Sequence, residues 1–312
     1  MSDLYAKSMI KLELDQVLAL LSQCAGSQEG KAACLALSPV SDLDDVNDLL
    51  SETTAAVGMC YKKGNPVFGD VTDVSASLER AHRGGCLQPV ELLRIAGVLR
   101  CARNIKGYVS EDDEKTILDE LFHGITPNKY LEDKIFGAIL SEEEIADNAS
   151  STLFDIRRHM RIQAAKIKDG LQKIISSPSF SKYLREPIIT IRQGRYVVPV
   201  KSEHKADLPG LVHDVSSTGS TYFVEPMSAV NANNALRELE IKEKKEIERI
   251  LAVLSQSAAE CASALSLDYH NITELAFIFA KAELSYRMNA SEPQLNEDGV
   301  VDLKRARHPL LD

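Results

Sequence analysis

The sequence has 312 residues and a formal net charge of minus 10 at pH 7. Its length is enough for two structural units, and 44% hydrophobic with 26% charged residues is ordinary for a soluble, folded protein. The sequence contains no Trp and only 5% aromatic residues. This composition favours helices packed through Leu, Ile and Ala over an aromatic-rich β-sandwich.

Neither the N-terminus nor the cysteines indicate a secreted or membrane protein. Charged residues interrupt the apolar N-terminal stretch "MSDLYAKSMIKLELDQVLALL", and nowhere do 18 apolar residues run together. The six cysteines show no C-x-x-C pairing, which predicts reduced core thiols and no structural metal site. We therefore expect a cytoplasmic protein that does not span a membrane.

Charge is distributed unevenly along the chain. Residues 151–213 include twelve basic and five acidic residues, a net charge of plus 7, so the rest of the chain carries minus 17. A uniformly acidic surface repels nucleic acid, but a basic segment on an acidic body is typical of an arm that meets a polyanion.

Residues 1–150 are predicted to form a core of short helices, completed by about 266–312. The apolar spacing is helical from Leu12 to about Tyr61, with Asp42 or Ser41 as a candidate N-cap. Periodicity and helix breakers predict the later helices of this block at 72–82, 89–107, 111–123 and 128–139.

Two longer helical patterns flank a short insert. The first is assigned to residues 151–186, and the second, at 226–265, begins with Pro226 and would be roughly 60 Å long at 1.5 Å per residue. We predict that they pair antiparallel as a lever leaving the core. The alternative is that both helices fold back over the core; their heavily charged polar faces favour the lever.

Residues 187–225 change to the period of β-strands. "IITIRQGRYVVPVK" predicts a hairpin around Gln193-Gly194, and "GLVHDVSSTGSTYFVEP" predicts a second hairpin whose turn needs a positive φ at Gly219. The predicted fold class is therefore mainly α: a helical core bundle and a long antiparallel two-helix lever carrying a small β-hairpin clamp insert.

The sequence offers no candidate for catalysis. The serine-rich turn resembles a phosphate cradle in composition, but neither G-x-x-x-x-G-K-[ST] nor G-x-S-x-G occurs. His204 and His213, near Asp207 and Asp214, could be metal ligands, but turn or surface roles are commoner for such residues. We interpret the run 142–144, three glutamates, as helix N-terminal charge. We predict no catalytic residue, no metal site and no cofactor within these 312 residues.

Basic and hydroxyl residues form the candidate nucleic-acid site. Taken singly, each basic residue is better explained as part of a solvated face, but their collective charge favours phosphate contacts. The candidates are Arg157, Arg158, Arg161 and Lys168 on the outgoing helix, Arg192, Arg195, Lys201 and Lys205 around the hairpin, and Ser217, Thr218 and Ser220 in the second turn.

Several stretches resemble one family. The runs "GRYVVPVKSEHKADLPGLVHDVSSTGSTY" and "FVEPMSAVNANNALRELEIKEKKEIERIL" are similar to the clamp region of the MutS-II branch of the MutS ATPases, which carries an Smr endonuclease domain. The stretches "KLELDQVLALLSQCAGSQEGKAACLALSP", "AHRGGCLQPVELLRIAGVLRCARNIK" and "ARHPLLD" resemble the same family in the same order. The resemblance covers essentially the whole chain.

The resemblance implies a helical core, a lever and a clamp in a homodimeric protein. Its ATPase, which binds ATP and Mg, would follow the "RHPLL" segment, and its Smr nuclease would lie further on. Residues 300–312 would then start the linker to the ATPase, so both enzymatic activities belong to the parent protein and not to this segment, which can be a monomer by itself.

The implied function is binding of branched or structured DNA to suppress homologous recombination. In this interpretation Arg192, Arg195, Lys201 and Lys205 contact the nucleic-acid backbone. The alternative is a scaffold that binds the ribosome or its RNA, as the resemblance implies for family members that act on collided ribosomes. Mismatch recognition is not expected, because the chain starts directly in the core.

Overall fold

The computed structural model describes residues 3–69 and 71–311. Two compact units divide the chain: unit 1 is Met1–Glu144 with Ala252–Asp312, and unit 2 is Ile145–Leu251. The helices, in chain order, are α1 Asp3–Lys11, α2 Leu14–Cys24, α3 Gln28–Ala36, α4 Leu43–Lys63, α5 Ser75–His82, α6 Pro89–Lys106, α7 Asp119–Gly124, α8 Lys129–Ala138, α9 Ser151–Ile175, α10 Pro178–Ser181, α11 Met227–Glu260 and α12 Ala262–Met288. The strands are β1 Thr190–Arg192, β2 Arg195–Lys201, β3 Gly210–Val215 and β4 Thr221–Pro226. The predicted fold class, mainly α with a small β insert, is confirmed.

Unit 1 is a helical bundle built around α12. This helix packs against α2 to α7 and buries residues along most of its length, including Leu265, Leu275 and Phe279. Side-chain caps mark where the surrounding helices begin: the Asp42 carboxylate accepts hydrogen bonds from the first turn of α4, and the Ser27 hydroxyl oxygen does so for α3. The prediction of Asp42 as an N-cap is confirmed.

Two predictions in unit 1 are wrong. The helix expected at 111–123 is confined to α7, because the preceding loop is held by side chains: Lys62 pairs with Glu114, and Lys63 pairs with Asp113. The glutamates at 142–144 do not begin a helix. They lie in a turn closed by hydrogen bonds from the Leu140 and Ser141 backbone N–H groups to the Glu144 carbonyl, and α9 begins only at Ser151.

Unit 2 contains two antiparallel helices and one antiparallel sheet. The two long helices are antiparallel, because the contact made later along α9 falls earlier along α11. The Ser150 hydroxyl at the start of α9 donates to Glu246, and Arg157 donates to Glu243. The outgoing helix expected to reach residue 186 ends at Ile175, just before Pro178 starts a short turn of helix. The return helix begins at Met227, because Pro226 is the last residue of β4, and it breaks at Cys261 instead of continuing to 265.

The sheet has the strand order β1-β2-β4-β3, and every pair is antiparallel. Both predicted hairpins are confirmed. Gln193 and Gly194 have φ of 51° and 74° in the first turn, as a two-residue turn with two left-handed residues requires, and Gly219 has φ of 69° in the second. A bulge interrupts β3 between Val212 and Asp214.

The core of unit 2 joins the sheet to both helices. Apolar residues from α9, from the sheet and from α11 form one buried cluster; its members are Ile167, Leu171, Ile175, Leu184, Val198, Val200, Leu208, Val224, Ala229 and Leu236. The helical period of α9 and the period of two in β2 therefore direct their apolar residues into the same core.

Among the described residues, no single helix is long and apolar enough to cross a membrane. The pair α11 and α12 meets that criterion only when joined across its break, by length and composition alone, and many apolar residues of α12 are buried in unit 1.

Replacing Gly210 tests how closely β3 and β4 approach each other. A Cβ at this position would lie 2.3 Å from the Glu225 carbonyl oxygen and 2.6 Å from Val224 Cγ1. We expect Gly210→Ala to lower the free energy of unfolding by about 1–3 kcal/mol, as over-packing does. The matched control is Gly170→Ala on α9, where a Cβ meets nothing within 4 Å; it should stabilise by roughly 0.5–1 kcal/mol. Urea titrations would measure both, and equal effects would contradict the packing argument.

Candidate nucleic-acid interface

Arg157 joins the two helices of unit 2. Its Nε donates to Glu243 Oε1 at 2.6 Å and its Nη1 donates to Asp147 Oδ1 at 2.7 Å, while the Ile145 carbonyl accepts a further bond at 2.7 Å. The side chain is only 20% exposed. With both sides of its guanidinium occupied inside the protein, Arg157 is placed to hold α9 against α11, and its access to a phosphate is limited.

The other basic residues of α9 are exposed. Arg158 pairs with Asp155 at 3.1 Å, Arg161 pairs with Asp147 at 2.9 Å, and the Lys168 ammonium lies 5.8 Å from the ring centre of Tyr196. Hydrogen bonds from Arg161 and then Arg157 lower the pKa of Asp147. Exposed ion pairs contribute about 0–1 kcal/mol, so Arg158 and Arg161 can exchange their carboxylates for phosphates at low cost.

The arginines of the first hairpin pair with carboxylates of the second hairpin. Arg192 pairs with Asp214 on β3 at 3.3 Å, and its guanidinium carbon lies 4.2 Å from the ring centre of Phe223. Arg195 is turned inward: Nη1 donates to both oxygens of Glu225, at 2.9 and 3.1 Å, and Nη2 donates to Asn234 Oδ1 at 2.7 Å. The geometry of Arg195 therefore favours a structural role.

Glu225 is the buried centre of this network. Its side chain is 0% exposed, and besides Arg195 it contacts His213 Nε2 at 2.6 Å. His213 is the extra residue at the bulge of β3, and the bulge re-aims its ring towards Glu225. The sequence predicts a turn or surface role for His213, ahead of a metal ligand, and does not point to Glu225, because their contact depends on a local change of strand register.

Asn233 continues the hydrogen bonding of β2 where β4 ends. The Tyr196 backbone N–H donates to Asn233 Oδ1 at 3.1 Å, and Asn233 Nδ2 donates to the Tyr196 carbonyl at 3.2 Å. One buried amide side chain thus takes both backbone groups that a partner strand would otherwise pair. The hairpin β1–β2 is thereby attached to α11.

The opposite end of the sheet carries basic residues without carboxylate partners. Lys201 Nζ donates to the Lys182 carbonyl at 3.1 Å, and the ammonium groups of Lys205 and Lys182 lie 4.8 and 4.9 Å from the rings of Tyr222 and Tyr183. Arg185 lies beside β2, where its backbone N–H donates to the Pro199 carbonyl. Within the described part of the chain, none of these four side chains has an acidic group within 4 Å.

The serine-rich turn lies at the same end of the sheet. The Ser202 backbone N–H donates to the Ser220 carbonyl, which places the turn next to the end of β2. The Thr218 and Ser220 hydroxyls are 2.8 Å apart, and Ser217, Thr218 and Ser220 are all exposed. We call the four basic residues Lys182, Arg185, Lys201 and Lys205, together with the turn 216–220, the tip cluster.

The tip cluster lies in the more basic of the two units. The pKa of Glu203 is lowered, first by a hydrogen bond from its own backbone N–H and further by the Ser202 hydroxyl and the charges of His204 and Lys201. Unit 2 as a whole has seventeen basic and thirteen acidic residues, whereas unit 1 has nineteen and thirty-three. The tip cluster thus belongs to a basic unit of an acidic chain.

Two tip residues, Lys182 and Arg185, were not selected from the sequence. The predicted helix ends at residue 186, which would put both side chains in its last turn, on a face exposed to solvent. The local signal was the basic and aromatic string "KYLRE" directly before the hairpin. As for metals, the described residues contain no group of three or more His, Cys, Asp or Glu side chains that could hold an ion; His204 contacts the Asp207 carboxylate at 2.7 Å and the Tyr183 ring.

Relatives of the chain are bacterial proteins, each named endonuclease MutS2, while no family model matches it. The protein of Ruminiclostridium cellulolyticum is 45% identical over 304 residues, which are 96% of this chain and 38% of the relative. Those of Agathobacter rectalis and Acetivibrio thermocellus are both 44% identical, over 96% and 98% of this chain and over 38% and 39% of the relatives. The chain therefore spans about two fifths of the length of these curated relatives.

Identity above 40% across nearly the whole chain agrees with the MutS-like motifs and with a mainly helical fold that carries a small β insert. The chain belongs to the MutS2 family.

Removing the Glu225 carboxylate tests the buried network. Glu225→Ala leaves Arg195 and His213 without their acceptor, and we expect the free energy of unfolding to fall by about 3–5 kcal/mol. Glu203→Ala, which removes an exposed carboxylate close to the same strand, should change it by less than about 0.5 kcal/mol. Chemical denaturation measures both variants, and similar values for the two would refute the central role of Glu225.

Proposed function

We propose that unit 2 is a clamp and lever that holds branched or structured DNA by its backbone, in a MutS2 protein that suppresses homologous recombination. The observation that supports this most strongly is the tip cluster: four basic side chains without carboxylate partners beside an exposed, hydroxyl-rich turn. Lysine, arginine, serine and threonine are the residues that contact phosphate oxygens without reading bases. Exposed Arg158, Arg161 and Lys168 on α9 would extend the contact along the lever.

Other features of the whole protein belong to the same proposal. The relatives are more than twice as long as this chain and are named endonucleases. An ATPase that binds ATP and Mg, a nuclease and the homodimer interface would lie in the part of the protein beyond the matched residues, and the protein would act in the cytoplasm. The 312 residues contain no G-x-x-x-x-G-K-[ST] motif, so the nucleotide would be bound elsewhere.

The test is binding of the 312-residue chain to a four-way DNA junction, duplex DNA and duplex RNA over a range of salt concentrations. The quadruple variant Lys182→Ala, Arg185→Ala, Lys201→Ala, Lys205→Ala should bind the junction at least about a hundredfold more weakly at low salt. The slope of log affinity against log salt should lose roughly 0.9 for each phosphate contact removed, or about 3.6 for four contacts.

The control is a charge-matched quadruple variant of the same unit. Lys166→Ala, Lys173→Ala, Lys244→Ala and Lys245→Ala also remove four exposed basic residues, each without an acidic group within 4 Å in the described structure. If the two quadruple variants lose affinity equally, net charge and not the tip cluster carries the binding. Tighter binding of duplex RNA than of the junction, by about tenfold or more, would favour the ribosomal alternative.

A further inference from the structure

Unit 1 contains a cavity that the proposed nucleic-acid function does not use. It has a volume of about 500 Å³, which lies within the range of small-molecule sites, and it is bounded by α4, the end of α6, α7 and the loop between α6 and α7. Its apolar walls are formed by Ala55, Met59, Val109 and Phe122. The walls are therefore suited to a small ligand whose apolar part contains no more than a few rings.

One helical glycine keeps the wall of α4 open. Ala55, Gly58, Met59 and Lys62 lie on one face of α4, at the spacing of three and four residues, and all four line the cavity. A Cβ at Gly58 would meet nothing within 4 Å. Glycine inside a helix is less favourable than alanine, and no neighbouring atom requires it here. What the glycine provides is room inside the cavity.

Most charges around the cavity are already compensated. Lys62 pairs with Glu114 and Lys63 with Asp113, and these two ion pairs hold the loop across the opening. The Asp119 carboxylate is turned back to the Thr116 N–H and hydroxyl, at the start of α7. Lys115 and Glu111 also line the cavity, and their charges are of opposite sign.

Lys106, unlike Lys62 and Lys63, has no carboxylate partner among the described residues and is held by backbone carbonyls. Its ammonium donates to the Phe122 and His123 carbonyls at 2.9 and 3.2 Å, at the other end of α7 from Asp119. No described carboxylate lies within 4 Å of it. The Asp268 carboxylate accepts a hydrogen bond from the Thr126 N–H at 2.7 Å. Lys106 is thus a half-buried cation, fixed by neutral carbonyls beside an apolar wall, with one donor to spare.

We propose that this cavity binds a small organic anion, with its apolar ring body against Met59, Val109 and Phe122 and its single carboxylate or phosphate on Lys106. The loop held by Lys62 and Lys63 covers the ring body. This site is separate from the tip cluster, and its ligand is a free small molecule, not a nucleic acid.

The experiment uses a matched pair of probes, 2-naphthoate and its neutral amide, 2-naphthamide. Because the chain has no Trp, naphthalene emission can be followed without tryptophan background. We expect saturable binding of 2-naphthoate, weakened about tenfold or more by Lys106→Met, whereas weaker binding of 2-naphthamide should not change with that substitution. A parallel titration with 2-naphthyl phosphate distinguishes a phosphate from a carboxylate preference.

Filling the cavity tests the location independently of charge. Gly58→Leu should weaken both probes about tenfold or more, because its side chain occupies the space of the ring body. Gly170→Leu, at an open helical glycine in unit 2, and Lys129→Met, on the exposed start of α8, are the controls and should leave both affinities unchanged. Helical circular dichroism would verify that every variant is folded.

Two outcomes would overturn the proposal. The first is that 2-naphthoate does not saturate the protein by about 5 mM, a concentration at which even weak, millimolar sites are largely filled. The second is that Lys106→Met and Gly58→Leu bind 2-naphthoate as tightly as the controls do.

Discussion

One buried carboxylate determines how unit 2 is assembled. Glu225 at the end of β4 is fully buried, and its oxygens are occupied by Arg195 and His213. An unpartnered charge in that position would be strongly unfavourable, so the bulge that directs His213 inward is part of the fold and not an irregularity. Arg195 also binds Asn234, and Asn233 binds the backbone of Tyr196. The same network therefore attaches the sheet to α11.

The predictions of the fold were correct where the determining signal is local. Helical period, period-two alternation and the residues of the turns at Gln193 and Gly219 lie within a few positions of the structure that they specify. The predicted ends of helices failed where distant groups decide. In the loop before α7, Asp113 and Glu114 pair with Lys63 and Lys62, about fifty residues away in sequence, and such distant partners leave no local signal.

Charge along the sequence identified the basic unit, but it could not identify which side chains are available. Whether a basic side chain can contact an external anion depends on the carboxylate partners that it has in the folded chain. Arg195 is thirty residues from Glu225 in sequence, and Arg157 is 86 residues from Glu243, yet both arginines are occupied by these carboxylates. Lys182 and Arg185 have no such partner and lie at the exposed end of the sheet. Segregated charge thus locates the basic unit, whereas the contacts of the folded chain show which of its basic side chains lack a carboxylate partner.

The chemistry of the tip cluster limits what it can distinguish. Base edges are read by paired donors and acceptors, commonly by Arg at guanine and by Asn or Gln at adenine; the segment 194–226 contains no Asn or Gln, and Arg185 is the only arginine of the tip cluster. Lys182 and Lys205 instead lie over tyrosine rings, which restrain each ammonium group while leaving its hydrogens free for an anion. In the proposed complex, contacts from these side chains to phosphates position the nucleic acid and carry no sequence information. Because DNA and RNA share the phosphate backbone, selection between them would rest on helix shape and on the 2′-hydroxyl of RNA. A four-way junction differs from a duplex in bringing the backbones of several arms together at one point.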